Sequence, residues 1–159
     1  MAAASRSASR RRAVELVFES FQRGRSLKKL VAERTHLLAA LGADLADEAA
    51  DTASDEDPLD GPALPPYTLR LIEGVVEHRE LISEWLDTYT QGWPQHRMPG
   101  VDRAILYVGA YEVVFEDDVP DSIAIKAAAD LAGKLSTDKS AGFVSGLLGR
   151  LSKIKSTLI

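Results

Sequence analysis

Apolar side chains recur every three to four positions along most of this chain, which is the spacing of one buried face of an α-helix. No stretch keeps the strict alternation of apolar and polar residues that marks a half-buried β-strand. The pattern therefore predicts an all-α protein. We expect a single helical bundle of six or seven helices, arranged as two sub-bundles.

The first two helices are predicted from the spacing of apolar residues and from residues that begin or end helices. Ser9 is suited to be the N-cap of the first, Gly24 to the turn after it, and Ser26 to the cap of the second. The residues predicted to face inward are Val14, Val17, Phe18, Phe21, Leu27, Leu30, Val31, Leu38 and Leu41.

The second half of the chain predicts four more long helical segments. Gly92 and Pro94 stop one long helix, Pro120 closes the next, and Ser140 is suited to cap the last. The inward positions are Leu71, Val75, Ile82, Leu86, Tyr89, Val101, Ala104, Ile105, Val108, Tyr111, Phe115, Ile125, Ala128, Leu131, Leu135, Phe143, Val144, Leu147, Leu148 and Leu151.

The chain is long enough for one domain with a sizeable core, and we interpret 1–159 as a single helical domain. We expect 1–9 to be flexible. Residues 44–51 are compatible with a short acidic helix. The stretch 54–66 contains four prolines and many acids, and it predicts a loop between the two sub-bundles.

Composition excludes several classes of protein. The chain has no cysteine, which excludes disulfides, thiolate catalysis and cysteine-ligated zinc and suits a cytoplasmic protein. No apolar run approaches the ~20 residues of a membrane-spanning helix, so we expect no membrane association. Residues 1–12 lack the apolar centre of a secretory signal.

Charge is unevenly distributed along the chain. The net charge is −5, yet 1–34 holds nine basic and three acidic residues, whereas 44–60 holds eight acidic residues and no basic ones. Local clusters rather than net charge set the affinity for phosphates, so a polyanionic partner remains compatible with this composition.

The most concentrated cations are Arg6, Arg10, Arg11 and Arg12, at the start of the first helix. Guanidinium groups match phosphate geometry and stack on bases. Cations at a helix N-terminus also oppose the helix dipole, which indicates a role other than local stability. Two interpretations stay open at this point, nucleic-acid contact and a solvated basic tail.

Two stretches, 93–106 and 136–149, each place polar and small residues directly before an amphipathic helix. Within the second, Phe143 follows Lys139 and lies near the edge of the apolar face. It can stack on an unpaired base, or it can be a core residue at helical spacing.

Nothing in the sequence indicates catalysis or a bound metal or cofactor. His36, His78 and His96 lie too far apart in sequence for a helical metal-ligand pair. No phosphate-binding loop, nucleophile elbow or dinucleotide fingerprint occurs, and no acid–base constellation forms.

These residues resemble those of the transcription antitermination factor NusB family over nearly the whole chain, and least over 41–66. The segments that carry the resemblance are 9–18, 93–106, 111–112, 119–120, 130–132 and 140–146. The resemblance implies a non-enzymatic protein without cofactors. Such a protein pairs with ribosomal protein S10 and binds the boxA element of nascent single-stranded RNA. It thereby supports antitermination by RNA polymerase, notably on ribosomal RNA operons.

The resemblance also implies roles for individual residues. RNA phosphates would be held by the arginine cluster and by Lys139, and Phe143 would stack on a base. The S10-facing surface would include Phe18, Asp102 and Glu112.

The chain departs from the family pattern at three places. The family usually has an acidic or amide residue followed by Glu where this chain has Lys126 and Ala127, Asn where Ser145 stands, and Arg where Tyr107 stands. Lys126 inverts the local charge and thus bears on partner docking, and Ser145 lacks an amide that can bond a loop.

Three alternatives remain at this stage. The chain can be a homodimeric interaction scaffold whose interface hides the arginines, or an accessory domain of an RNA methyltransferase. The acidic residues of 44–60 can also cover the basic patch when RNA is absent.

Overall fold

The computed structural model describes the backbone of 3–45, 64–90 and 92–159, and side chains within 6–37, 64–90 and 92–159. Within these ranges the protein forms seven α-helices and no strand, which confirms the predicted all-α bundle. A short 3₁₀ turn, Gln95–Arg97, precedes α5. The helices are α1 (Ala3–Arg23), α2 (Leu27–Leu45), α3 (Pro66–Glu77), α4 (Arg79–Tyr89), α5 (Gly100–Phe115), α6 (Asp121–Leu135) and α7 (Asp138–Leu158).

Helix α5 is the centre of the bundle. Residues 104–114 are buried on every face of the helix, because α1, α3, α6 and α7 surround it. A helix that is apolar almost all round is expected in such a position. It therefore ties the α5–α7 part of the bundle to α1–α4.

Helices α6 and α7 pack side by side in opposite directions. Asp121, at the start of α6, accepts a hydrogen bond from Lys155 near the end of α7 at 2.8 Å. At the other end, the hydroxyls of Ser136 and Ser140 lie 3.2 Å apart. The first turn of α7 is therefore held beside the end of α6.

Close packing between α3 and α5 requires a residue without a side chain at Gly74. A Cβ added there would lie 2.1 Å from Cε2 of Tyr111, so any larger residue displaces that ring. A different requirement applies to Gly24, whose φ of +61° confirms the predicted turn between α1 and α2.

Two predicted helix boundaries are wrong. Helix α1 begins at Ala3, so Ser9 lies within it and is buried rather than forming the N-cap. The N-cap of α7 is Thr137, whose side chain accepts a hydrogen bond from the amide of Ser140. The predicted cap Ser140 is instead buried and bonds another helix.

The long helix predicted over 71–89 is two helices, separated at His78. The His78 backbone leaves the helical region, with φ −108° and ψ 16°. Its ring stacks on Phe115 of α5 with 3.8 Å between ring centroids. Packing against α5 therefore accompanies a break that the apolar spacing alone does not mark.

The predicted acidic helix at 44–51 and most of the predicted 54–66 loop lie outside the described residues. Where description resumes, Leu64 is buried in the core and Pro66 is the first residue of α3. Proline is favoured there because the first helical N–H has no partner within the helix. None of the helices in the described ranges is both long and apolar enough to span a membrane.

Candidate RNA-binding surface

The two stretches 93–106 and 136–149 meet at one end of the bundle. They form the walls of an open cavity of about 510 Å³, which we call the Trp93–Phe143 groove. Its walls include Gly92, Trp93, Pro99, Ser136, Lys139 and Phe143.

Two contacts between helices build this groove. The Ser140 hydroxyl donates to Oδ2 of Asp102 at 2.8 Å, which joins the first turn of α7 to the first turn of α5. The Phe143 ring meets Trp93 nearly edge-on, with 4.6 Å between centroids and 78° between planes. The second contact holds two half-buried aromatic rings in fixed positions on the groove wall.

Phe143 satisfies both interpretations of its sequence position. It packs against the edge of the core and it also lines the groove. Lys139 is exposed on the same wall, and within the described part of the chain no carboxylate lies within 4.0 Å of it. An ammonium group beside a fixed aromatic ring is an arrangement that accepts a nucleotide.

The four arginines in the first half of α1 lie in different environments. Arg11 is half exposed, at 49% of its side-chain surface, and lies 3.4 Å from Glu15. Arg12 is more buried and lies 3.3 Å from the same carboxylate. Arg6 is half-buried, with its guanidinium 5.2 Å from the centre of the Tyr67 ring. These residues present a mixed rather than a uniformly free basic surface.

Arg10 is almost fully buried and its guanidinium is paired within the protein, so its expected contact with RNA phosphates is corrected. Its side chain is 8% exposed, and Nε donates to both carboxylate oxygens of Glu112, at 2.8 and 2.9 Å. Tyr67 donates its hydroxyl to the same carboxylate. Burial and that hydrogen bond raise the pKa of Tyr67, so its proton stays on the phenol.

The expected partner-facing roles of Asp102 and Glu112 are corrected for the same reason. Asp102 is fully buried and Glu112 is 2% exposed, so neither carboxylate reaches a protein surface. Phe18 is half-buried and packs beside Gly100, where an added Cβ would lie 2.9 Å from Cε2 of the ring. Of the three residues, Phe18 alone keeps an accessible side chain.

The arginines and the Trp93–Phe143 groove lie toward opposite ends of α5. Glu112, which holds Arg10, lies ten residues after Asp102, which holds the start of α7. That is about 15 Å along the helix axis. The structure therefore brings Lys139 and Phe143 together but separates them from Arg6, Arg11 and Arg12.

Sequence reasoning missed two residues that shape this surface. Trp93 contributes the second ring of the groove, and its position between Gly92 and Pro94 was an available signal of a loop aromatic. Tyr67 supports both Arg6 and Glu112. No local signal marks it, since its partners lie far away in sequence.

The departures from the family pattern occupy different environments. Tyr107 is buried and donates to the side chain of Gln95 at 3.0 Å. Ser145 and Lys126 are exposed, on α7 and α6 respectively.

Across the described part of the chain, no group of three or more histidine and carboxylate side chains is placed to hold a metal ion.

Comparison with known proteins identifies the family. The NusB family model matches residues 7–153. The chain belongs to the NusB family. Transcription antitermination protein NusB from Kineococcus radiotolerans is 41% identical over 155 residues, covering 98% of each chain. The family assignment makes this chain a NusB antitermination factor.

Solved NusB structures share the fold. NusB from T. maritima has a TM-score of 0.66 and 26% identity, covering 93% of this chain and 90% of that one. A chain in the crystal structure of antitermination factors NusB and NusE in complex with double-stranded RNA has a TM-score of 0.69. It is 19% identical and covers 96% of this chain and 98% of that one. These likenesses confirm the NusB architecture.

Proposed function

We propose that this NusB-family chain binds boxA-type nascent RNA together with ribosomal protein S10, and so supports antitermination by RNA polymerase during ribosomal RNA transcription. The function is binding, with no catalytic step. The observation that carries the proposal is the Trp93–Phe143 groove, where the Lys139 ammonium group, which has no carboxylate partner among the described residues, lines the same wall as two fixed aromatic rings. The fold it shares with the NusB chain seen with NusE and RNA supports the same function.

The groove supplies both contacts that a single-stranded nucleotide needs. The face of Phe143 offers a stacking surface for one base, an interaction worth about 1–3 kcal/mol. Lys139 binds the adjoining phosphate, and its contribution depends on salt because binding releases counterions. Arg6, Arg11 and Arg12 bind further phosphates at the far end of α5.

Phe18 is the residue we propose for contact with S10. It lies on α1 beside the first turn of α5 and keeps part of its ring accessible. Asp102 and Glu112 act on that contact only indirectly, since they fix α5 against α7 and α1.

Fluorescence anisotropy with boxA RNA and with a scrambled RNA of equal length, each with and without S10, tests the proposal. We expect S10 to tighten boxA binding well beyond scrambled binding. Equal weak binding to both RNAs, unchanged by S10, would contradict it.

The alternative function, a homodimeric interaction scaffold, is tested by light scattering with and without RNA. A stable dimer that RNA never dissociates would favour that alternative.

Lys139→Gln tests the groove itself. Losing one phosphate contact should reduce the slope of log affinity against log salt by about 0.7. Lys29→Gln on α2 is the matched control, because it removes the same charge from an exposed lysine outside the groove. Identical slopes for Lys139→Gln and the control would place the RNA elsewhere.

A further inference from the structure

A second groove, between α1 and α6, is not used by the proposed RNA contacts. It has a volume of about 470 Å³, and we call it the α1–α6 groove. Its walls include Ser7, Ile123, Lys126, Asp130, Leu131 and Lys134.

The lysines of this groove have no carboxylate partner within the described residues. Lys126, Asp130 and Lys134 follow one another at four-residue spacing along one side of α6. Ion pairs commonly form at that spacing. Here, however, neither ammonium group lies within 4.0 Å of Asp130 or of any other described carboxylate. Both cations are therefore available to an external anion.

The remaining groups of the groove leave it basic and partly apolar. Arg10 also lines it, but Glu112 neutralises that guanidinium. Asp130 contributes one negative charge against the two lysines. Ile123, which is 53% exposed, Ala127 and the half-buried Leu131 follow one another at four-residue spacing on α6, so an apolar strip lines the same groove as the lysines. Cations beside an apolar strip suit a nucleotide chain, which alternates phosphate with sugar and base.

The α1–α6 groove extends from near one of the two separated parts of the proposed RNA surface toward the other. At one end, Lys134 is followed within two residues by Ser136, which lines the Trp93–Phe143 groove. At the other end, Ser7 belongs to the arginine-bearing turns of α1. The distance from Lys126 to Lys134 along α6 is about 12 Å. The groove thus covers most of the gap of about 15 Å between the two sites.

We propose that one RNA strand continues from the Trp93–Phe143 groove through the α1–α6 groove to the arginine end of α1, with Lys126 and Lys134 binding its phosphates. This inference rests on the proposed RNA-binding function and adds the path of the strand. RNA is favoured over an acidic protein segment because proposed RNA contacts lie near both ends of the groove, Ser136 two residues after Lys134 and the arginines on the same turns of α1 as Ser7.

The test measures anisotropy for two RNAs that share the boxA sequence, one of about five nucleotides and one of about twelve, within the range of known single-strand site sizes. Lys126→Gln and Lys134→Gln should each weaken binding of the longer RNA roughly threefold and lower the slope of its log affinity against log salt by about 0.7. Both variants should leave the affinity for the shorter RNA unchanged. Asp130→Asn should strengthen binding of the longer RNA, because it removes the only carboxylate among the described residues that line the groove.

The outcomes separate this inference from the proposed function. Lys29→Gln again controls for the loss of one positive charge, and it should affect neither RNA. If the unmodified protein binds both RNAs and the α6 variants match this control at both lengths, the path is wrong while the function stands. If the two lysine variants weakened binding of both RNAs to the same extent, the proposed path would also be wrong. If the unmodified protein binds no RNA, the proposed function itself fails.

Discussion

At the residue scale, the main feature is a set of buried carboxylates, each of which accepts a hydrogen bond from a hydroxyl group. Asp102 accepts from Ser140, Glu112 from Tyr67, and Glu116 from Tyr111. Burying a charge is costly unless it is paired or hydrogen-bonded. The first two of these hydrogen bonds also join helices, since the Asp102–Ser140 bond holds α7 against α5 and the Glu112–Tyr67 bond holds α3 against α5.

Glu112→Gln should lower the free energy of unfolding by about 3 kcal/mol, because it leaves the buried Arg10 without its compensating charge. Urea denaturation measures the effect. Glu15→Gln on the surface of α1 is the control, and its cost should stay below about 1 kcal/mol because exposed ion pairs contribute little. Similar small losses in both variants would show that the Arg10–Glu112 pair does not support the core.

Ser140→Ala should cost about 1–3 kcal/mol, since the buried Asp102 then loses its hydroxyl donor. No described donor contacts the other oxygen, Oδ1, so nothing in place compensates. Thermal unfolding measures the loss. The variant should also weaken RNA binding, because the first turn of α7 carries Lys139. An unchanged unfolding temperature would refute this account of how the groove is held.

At the scale of the elements, the sequence predicted which segments are helical but not every place where they break. The apolar spacing continues through His78, so the pattern implied one helix where α3 and α4 are separate. The break accompanies ring stacking between His78 and Phe115, a contact between residues far apart in sequence. The predicted N-cap of α7, Ser140, lies three residues after the observed one, Thr137. Both residues have hydroxyls that can cap a helix, so the sequence alone did not distinguish them.

The contact between α6 and α7 predicts a pH dependence. Burial alone raises the pKa of Asp121, but hydrogen bonds from Lys155 and Ser152 outweigh it and hold that pKa below its usual value. The carboxylate therefore stabilises the fold above the pKa of the unfolded chain, near 3.9. That stabilisation is lost as the pH falls through the lower pKa of the folded state.

Asp121→Asn should accordingly lower the free energy of unfolding by about 1 kcal/mol at neutral pH, with the difference shrinking as the pH falls below about 4. Urea denaturation across this pH range measures it. Asp117→Asn is the matched control at an exposed position and should show neither effect. If the difference in free energy of unfolding between Asp121→Asn and the unmodified protein grew at low pH, the pKa of Asp121 would be raised rather than lowered by folding.

At the scale of the whole molecule, the sequence located one part of the candidate surface and misjudged another. It identified 93–106 and 136–149 because loops rich in small and polar residues precede amphipathic helices, and the fold brings these two stretches together. It could not place Arg10 and Glu112 in the interior. A charged residue is expected at the surface unless a buried partner for it is known. Here the two partners, Arg10 and Glu112, lie 102 positions apart in the sequence. The gap between the arginines and the groove likewise follows from the length of α5.

The central claim, that RNA occupies the Trp93–Phe143 groove, is tested most directly by the fluorescence of Trp93. The chain has two tryptophans, and Trp85 is buried, so a Trp85→Phe variant leaves Trp93 as the reporter. Titration with boxA RNA in the presence of S10 should change Trp93 emission with the same midpoint as the anisotropy signal, and Phe143→Leu should weaken both. RNA binding that leaves Trp93 emission unchanged would contradict the claim.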